Sequence, residues 1–258
     1  MKPTLSVVLA TFNEAENITL CLKSIKGLAD EVIVVDGSSE DDTRKLAKKF
    51  GAKVFKVKNH PMFHTNKQKA VELVSGRWVL QLDADEQVSP QLAAEIKKIV
   101  TQKKTPFAGY NVARKNFFLS RFLTKGGQYP DYVIRLFLNG RGHFPQKSVH
   151  EQIVIKGKVG FLKNDLTHYA DPNFARYLTR FNRYTDLDAA ELARLKEKPG
   201  FSLGLSYFIF KPTVWFVKAY FRHKGFVDGL PGFIFALMSS LRFPVIFIKL
   251  WERYARRP

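Results

Sequence analysis

Apolar residues in the first hundred positions come as short unbroken runs, with segments of helical spacing between them. Residues 5–10, 31–36, 53–57 and 77–82 read as strands without polar alternation, the pattern of strands buried on both faces. Asn13 is positioned to cap a helix in which Ile18, Cys21, Leu22 and Ile25 recur every three or four residues, with Gly27 where that helix stops. Asp41 or Asp42 opens a second helix through Leu46 and Phe50, ended by Gly51. A third runs over 65–74 to Ser75-Gly76. Ser89-Pro90 then supplies a cap and a first-turn proline for a helix to about Val100. Strand and helix alternating this way predict an α/β fold: a Rossmann-like, mostly parallel sheet with helices on both faces.

The pattern changes after this. Short β-like runs at 108–113, 132–138 and 152–155, separated by Gly- and Pro-containing loops, predict an antiparallel extension of the sheet. Asp171-Pro172 is placed to begin a long helix to about Glu197, with Arg176, Arg180 and Arg183 along one face. The rest is aromatic and apolar, broken by Pro212, by a turn at 228–232 and by Pro244. Three regions are expected: 1–105, 106–170 and 171–258.

Charge adds a partner class. The 258 residues carry 42 Lys and Arg against 23 Asp and Glu, a net +19, which calls for an anionic partner. From residue 201 on, nine basic side chains face two acids, and the longest uncharged run is 13 residues. That run is short for a membrane span and suits amphipathic or hydrophobic helices lying on an anionic membrane surface. A hairpin packed on the protein's own core, or a spanning hairpin, fits the same residues. No zinc-ligand spacing, helix-turn-helix or RNP-like run accompanies the charge, so nucleic acid is not the expected partner. No Gly-x-Gly-x-x-Gly follows the first strand, which disfavours a dinucleotide-binding dehydrogenase. The lone Cys21 gives no disulfide framework. The N-terminal apolar run is too short and too soon polar for a signal peptide.

Ligands of parallel sheets bind beyond the carboxyl ends of the strands. Residues 11–14, 36–39 and 83–86 all fall there, and are expected to converge. Asp83 and Asp85 follow an apolar strand and can face one small volume. Two hard carboxylates with room for phosphate oxygens suit Mg2+ or Mn2+. The same pair also fits a solvated loop. Lys67 is a candidate phosphate contact, as is Lys69. Arg135 is a charge inside an apolar strand and a candidate to stabilise a departing anion.

The ordered runs Ser6-Val7-Val8-Leu9-Ala10-Thr11-Phe12-Asn13-Glu14, Val34-Val35-Asp36-Gly37-Ser38-Ser39-Glu40-Asp41-Asp42-Thr43 and Asp83-Ala84-Asp85-Glu86 resemble family 2 of the glycosyltransferases. Val149-His150-Glu151 and Asp228-Gly229 with Gly232 resemble, more loosely, its lipopolysaccharide core glucosyltransferase branch. The resemblance implies a GT-A fold and inverting transfer from a nucleotide-activated sugar. Residues 1–105 then form the nucleotide-sugar half, 106–170 the acceptor half, and 171–258 a helical membrane-surface anchor. Thr11, Asn13 and Glu14 would line the nucleotide site, and Asp36 would accept a hydrogen bond from uracil. Asp41 matches the family's Ser-Thr-Asp position, or is only a helix cap. Asp83 and Asp85 would hold the metal and, through it, the diphosphate. Glu151 is the expected general base, with His150 as the other candidate base or an extra ligand; the family's usual pair there is Glu-Asp. Arg180 and Arg183 would meet acceptor, phosphate or lipid headgroups. The expected acceptor is a glycolipid or lipid-linked hydroxyl at the cytoplasmic face of the inner membrane. A polyprenyl phosphate is the alternative acceptor, and nucleic-acid binding a remote alternative function.

Overall fold

The computed structural model describes residues 4–60, 62–146 and 152–255. The chain divides into two compact units: Met1–Arg114 with Asp131–His168, and Lys115–Pro130 with Tyr169–Pro258. Residues 115–130, expected with the acceptor half, therefore group with the C-terminal helices.

The first unit begins as the apolar pattern predicts. In order come β1 (Leu5–Thr11), α1 (Ala15–Ser24), β2 (Glu31–Asp36), α2 (Thr43–Lys49), β3 (Lys53–Lys56), α3 (His64–Glu72), β4 (Trp78–Leu82), β5 (Glu86–Val88) and α4 (Pro90–Val100). Ser89 caps α4, its Oγ accepting from Leu92 N at 3.2 Å. The long strands β6 (Gly109–Phe118), β8 (Asp131–Leu138) and β12 (Leu166–Asp171) follow. Between them lie the short β7 (Arg121–Phe122), β9 (Gly142–His143), β10 (Val154–Ile155) and β11 (Val159–Phe161).

The sheet order is β3-β2-β1-β4-β8-β6-β12-β5, with β11 also pairing β6. Strands β3, β2, β1 and β4 are parallel, and β8 joins β4 antiparallel. Alternation along β1 splits the core between the two faces of the sheet. Leu5, Val7 and Leu9 pack with Ile18, Cys21, Leu22, Leu92 and Ile96. Val8 packs with Ile33, Val35, Ala70, Val71, Val79 and Phe137. Helices α1, α2 and α4 thus cover one face and α3 the other, which leaves the carboxyl ends of β1, β2 and β4 free to carry a site.

In the second unit α5 (Phe174–Arg194) starts three residues later than expected. Its cap is Asn173, whose Oδ1 accepts from Arg176 N at 2.9 Å. Asp171 instead ends β12 and accepts from Arg180. Helices α6 (Phe201–Leu205) and α7 (Lys211–Val217) are joined by a π-helical turn at Ser206–Phe210 just before Pro212, and a second wide turn spans Lys218–Arg222. Proline cannot donate into a helical ladder, and a wide turn re-spaces the bonds around it.

A 3-10 turn at Gly225–Asp228 then leads into α8 (Gly229–Ala255), 27 residues long. Pro231, read as a break, sits in the first turn of α8, where no donor is needed. Pro244 lies inside the helix. Gly232 is required sterically, because a Cβ there would fall 2.0 Å from Gly225 O. The buried Asp228 carboxylate accepts from Thr124 N and Oγ1 and from Lys125 N at 2.8–3.1 Å, fixing that loop to the start of α8.

The apolar stripe of α8 faces outward. Leu230, Phe233, Leu237, Leu241, Ile248 and Trp251 are exposed, as are Phe201, Phe208, Ile209, Phe210, Val214 and Phe221 on the preceding helices. By length and composition the stretch Gly225–Ala255, whose most apolar 18 residues have a mean hydropathy of 1.8, could cross a membrane.

Candidate active site

Thr11 and Asp36 are register partners on adjacent parallel strands, so the loops after β1 and β2 leave the same sheet edge. Asp36 is fully buried. It accepts from Thr11 Oγ1 at 3.0 Å, from Ser39 N at 2.9 Å and from Ser39 Oγ at 2.5 Å, and Arg44 Nε lies 3.6 Å away. Asn13 does not cap α1. It sits in the left-handed region at φ 54°, donates its N–H to Ser39 Oγ at 2.9 Å, and accepts from Glu40 N at 2.8 Å. Asparagine tolerates that conformation better than most residues, which is why it can serve here.

The first N–H groups of α1 are met from the second loop. Glu14 N donates to Thr43 Oγ1 at 2.8 Å and Ala15 N to Asp41 Oδ2 at 3.0 Å. Asp41 also accepts from the N–H and hydroxyl of Thr43. Burial pushes its carboxyl pKa up, but the hydrogen bonds from Thr43 and Ala15 outweigh it and hold the value below the ordinary one. Asp41 therefore ties the start of α1 to the start of α2. Glu14 Oε2 accepts from Asn17 Nδ2 at 2.7 Å.

The end of β4 carries a second set. The chain turns after Leu82, so Asp83 and Asp85 lie on a turn into β5 rather than on a straight strand. They have separate partners. Asp83 meets Lys67 Nζ at 2.5 Å, Arg135 Nη2 at 2.7 Å and Gln81 Nε2 at 3.2 Å. The β4–β8 register pairs Val79 with Phe137, which by extension brings Gln81 opposite Arg135. Arg135 donates to Gln81 Oε1 and, at 2.6 Å, to the fully buried Glu86. Glu86 also takes Arg114 Nη1 at 3.3 Å and Asp83 N at 3.0 Å, and Arg114 reaches Asp131 at 2.7 Å.

Burial pushes the Asp83 carboxyl upward, yet Lys67 and Arg135 pull it well below its usual range. Burial pulls Arg135 down, yet Glu86 and Asp83 raise it above its ordinary value. The cluster is a charge-compensated lattice in which each buried ion has opposite charges beside it.

Asp85 faces His168 Nε2 at 3.6 Å, and both side chains are nearly buried. The β5–β12 register places His168 opposite Glu86. Among the described residues no group of three or more His, Cys, Asp and Glu is gathered to enclose a metal. Asp85 with His168 offers one hard oxygen and one imidazole nitrogen. That pair fits a divalent ion whose other ligands come from a diphosphate. Asp83, already held by two cations, is the less available ligand.

His150 and Glu151 lie outside the described residues. Lys67 reaches the site, whereas Lys69 is exposed on α3. In the second unit Arg180 pairs with Asp171 and Arg183 is exposed. Sequence reasoning missed His168, Arg114 and the anchoring role of Glu86. Arg114 lies one residue past the strand read at 108–113, and His168 had no motif around it.

The model of the family described as glycosyl transferase family 2 matches residues 6–169. The glycosyltransferase RC0292 of Rickettsia conorii is 30% identical over 256 residues, spanning 92% of this chain and 88% of that one. The lipopolysaccharide core biosynthesis glycosyltransferase LpsC of Rhizobium meliloti is 26% identical over 260 residues, 98% of this chain and 94% of that one. Among solved structures, the mannosyltransferase PcManGT of Pyrobaculum calidifontis, in complex with GDP-Man and Mn2+, has a TM-score of 0.53 at 12% identity, covering 98% of this chain and 88% of that one. The loops gathered at one edge of a GT-A sheet thus belong to a known lineage, and the chain is a member of glycosyl transferase family 2.

Proposed function

We propose that the protein is an inverting hexosyltransferase. It moves a sugar from a uridine diphosphate donor to a hydroxyl of a lipid-linked or lipopolysaccharide-core acceptor, working at the cytoplasmic surface of the inner membrane. One observation carries the reading. A fully buried carboxylate, Asp36, held by Thr11 and Ser39, lies on the same sheet edge as the Asp83–Asp85 turn. A nucleotide and its diphosphate need both: a loop edge held rigid for the base, and a place where anionic oxygens meet cations.

Thr11, Asn13, Glu14, Asp36 and Asp41 shape the nucleoside end. Lys67 and Arg135 are the cations of the diphosphate end. Asp85 and His168, with Asp83 beside them, would hold Mg2+ or Mn2+. When bound, such an ion neutralises charge on the leaving diphosphate. Glu151 takes the acceptor hydroxyl proton as oxygen attacks the anomeric carbon, because an unassisted alcohol is a weak nucleophile near neutral pH. The kinship with LpsC supports a glycolipid acceptor. The outward apolar stripe of α8 and the basic residues around it support peripheral, monotopic attachment to an anionic leaflet.

The test is donor hydrolysis by the full chain with UDP-, GDP- and dTDP-hexoses, with and without Mn2+ or Mg2+. Metal-dependent release of UDP is the expected result. No hydrolysis of any donor, and no thermal shift with UDP plus Mn2+, would overturn the proposal.

A further inference from the structure

A cavity of about 290 Å3 lies wholly within the second unit, lined by Tyr177, Arg180, Phe181, Tyr184, Ser239 and Arg242. Helix α5 supplies four of these residues at i, i+3, i+4 and i+7, which places them on one face. Helix α8 supplies Ser239 and Arg242, also three apart. The two arginines are held differently. Arg180 is anchored by Asp171 at the end of β12 and still has donors to spare. Arg242 is stacked on aromatic rings, its guanidinium carbon 4.4 Å from the Trp215 ring centre and 4.8 Å from that of Phe243. Among the described residues Arg242 makes no hydrogen bond and no ion pair within 4 Å, although it feels the charge of Asp188.

A half-buried guanidinium needs acceptors for its five N–H groups. Stacking satisfies its faces and leaves its edge donors, so the rings fix the plane of the fork without consuming it. The Ser239 hydroxyl is turned to Phe235 O at 2.6 Å, so it is a donor there and retains acceptor capacity only. The remaining walls are aromatic. The cavity therefore combines two cationic forks with flat apolar sides. Its volume is at the low end for ligand sites, enough for a phosphoryl group with one ring or a short stretch of chain.

We propose that this cavity is a binding site for the phosphoryl group of a lipid phosphate ester. Arg242 and Arg180 grip the oxyanion, and Tyr177, Phe181 and Tyr184 contact the adjoining group. The inference deepens, and rests on, the reading of a lipid-linked acceptor at a membrane surface. A carrier or headgroup phosphate is the anion such a substrate or surface presents.

The experiment is calorimetric titration of the full chain with inorganic phosphate and, separately, with monomeric dihexanoyl phosphatidate. Binding of phosphatidate is expected. Binding of inorganic phosphate as well would show that the phosphoryl group alone suffices, and its absence would show that the lipid portion is needed. R242Q should weaken phosphatidate binding roughly tenfold or more, as expected for losing a charge-assisted fork. R242K, which keeps charge but not the planar fork, should fall between. S239L, which fills the cavity without removing charge, should also lose binding. R194Q, which removes a charge from the exposed end of α5, should bind normally.

No binding of phosphatidate by the wild type, or binding by R242Q and S239L as tight as by the wild type, would overturn the assignment. Acceptor-free UDP-hexose hydrolysis by the wild type is measured alongside. If hydrolysis fails while R242Q still loses phosphatidate, the glycosyl-transfer reading falls and the cavity stands; the reverse pattern removes the cavity alone.

Discussion

Glu31 sits at the end of the sheet opposite the proposed donor-site loops and offers a clean separation of stability from activity. It opposes Ser6 in the β1–β2 register. Its carboxylate accepts from Ser6 Oγ at 2.6 Å, Lys53 Nζ at 2.8 Å and Ser75 N at 3.0 Å, and only 7% of the residue is exposed. Ser6 Oγ in turn accepts from Gly76 N at 2.9 Å, where a Cβ on Gly76 would lie 2.5 Å from that oxygen. Burial alone would push the Glu31 pKa up; the bonds from Lys53, Ser6 and Ser75 outweigh it and bring it from 4.5 to about 2. The folded value is depressed, so the stabilisation is present above the unfolded pKa and is lost as pH falls through the folded one.

At neutral pH the difference corresponds to about 3 kcal/mol, an upper bound because Lys53 is largely solvated. The same linkage leaves ~1.4 kcal/mol at pH 3 and ~0.4 kcal/mol at pH 2. Glu31→Gln keeps the size of the side chain but removes the charge. It should lower Tm by roughly 6–12 °C at pH 7 for a domain of this size. Thermal unfolding followed by circular dichroism, in parallel with wild type from pH 7 down to pH 2, is the assay. The gap should close between about pH 5 and pH 2. A gap that stays constant with pH, or no gap at pH 7, refutes the reasoning. Donor hydrolysis at 25 °C should be unchanged, since Glu31 is remote from the proposed donor site.

Other expected outcomes concern the site itself. H168A should weaken Mn2+ binding in the presence of UDP by about 10–100-fold, read by the metal dependence of hydrolysis and by paramagnetic resonance of free Mn2+. E151Q should lower kcat by roughly 100-fold or more while UDP binding, followed by calorimetry, is retained; near-normal turnover removes Glu151 as base. R135Q leaves Glu86 buried with less compensation and should cost about 3 kcal/mol or more in denaturant unfolding, beyond any loss of rate. Asp36→Asn should raise the donor KM more than it lowers kcat, because it disturbs the nucleoside end rather than the reacting atoms.

Much of the first unit was legible because its signals are local. Uniform apolar runs gave β1, β2 and β4, and Ser89-Pro90 gave the start of α4, since each depends on neighbours within one turn or one strand. The sheet edge that gathers residues 11–14, 36–39 and 83–86 followed from parallel topology. What failed depended on contacts outside the local pattern. Asn13 has the residue type of a cap but is taken by Ser39 and Glu40. Asp171 resembles a helix start but is held by Arg180. Asp83 and Asp85 are two apart, yet the turn after Leu82 gives them different partners. His168 and Arg114 are brought in by antiparallel pairing whose register no local pattern encodes. The prolines of the C-terminal region suggested breaks, but one lies in a first turn and another is carried within a long helix.

Cys21 is the sole cysteine of the chain, fully buried under the Asp83–Asp85 turn, its thiol 3.6 Å from the Asp83 carbonyl. Burial first, and then the negative charges of Glu86, Asp85 and Asp83, raise its pKa well above the usual thiol value. Alkylating probes react with thiolates, so the native thiol is silent while the fold is closed. A single cysteine engineered on the outward stripe of α8 can then be labelled selectively without first deleting the natural one, and the depth of each position relative to a bilayer read directly from the label.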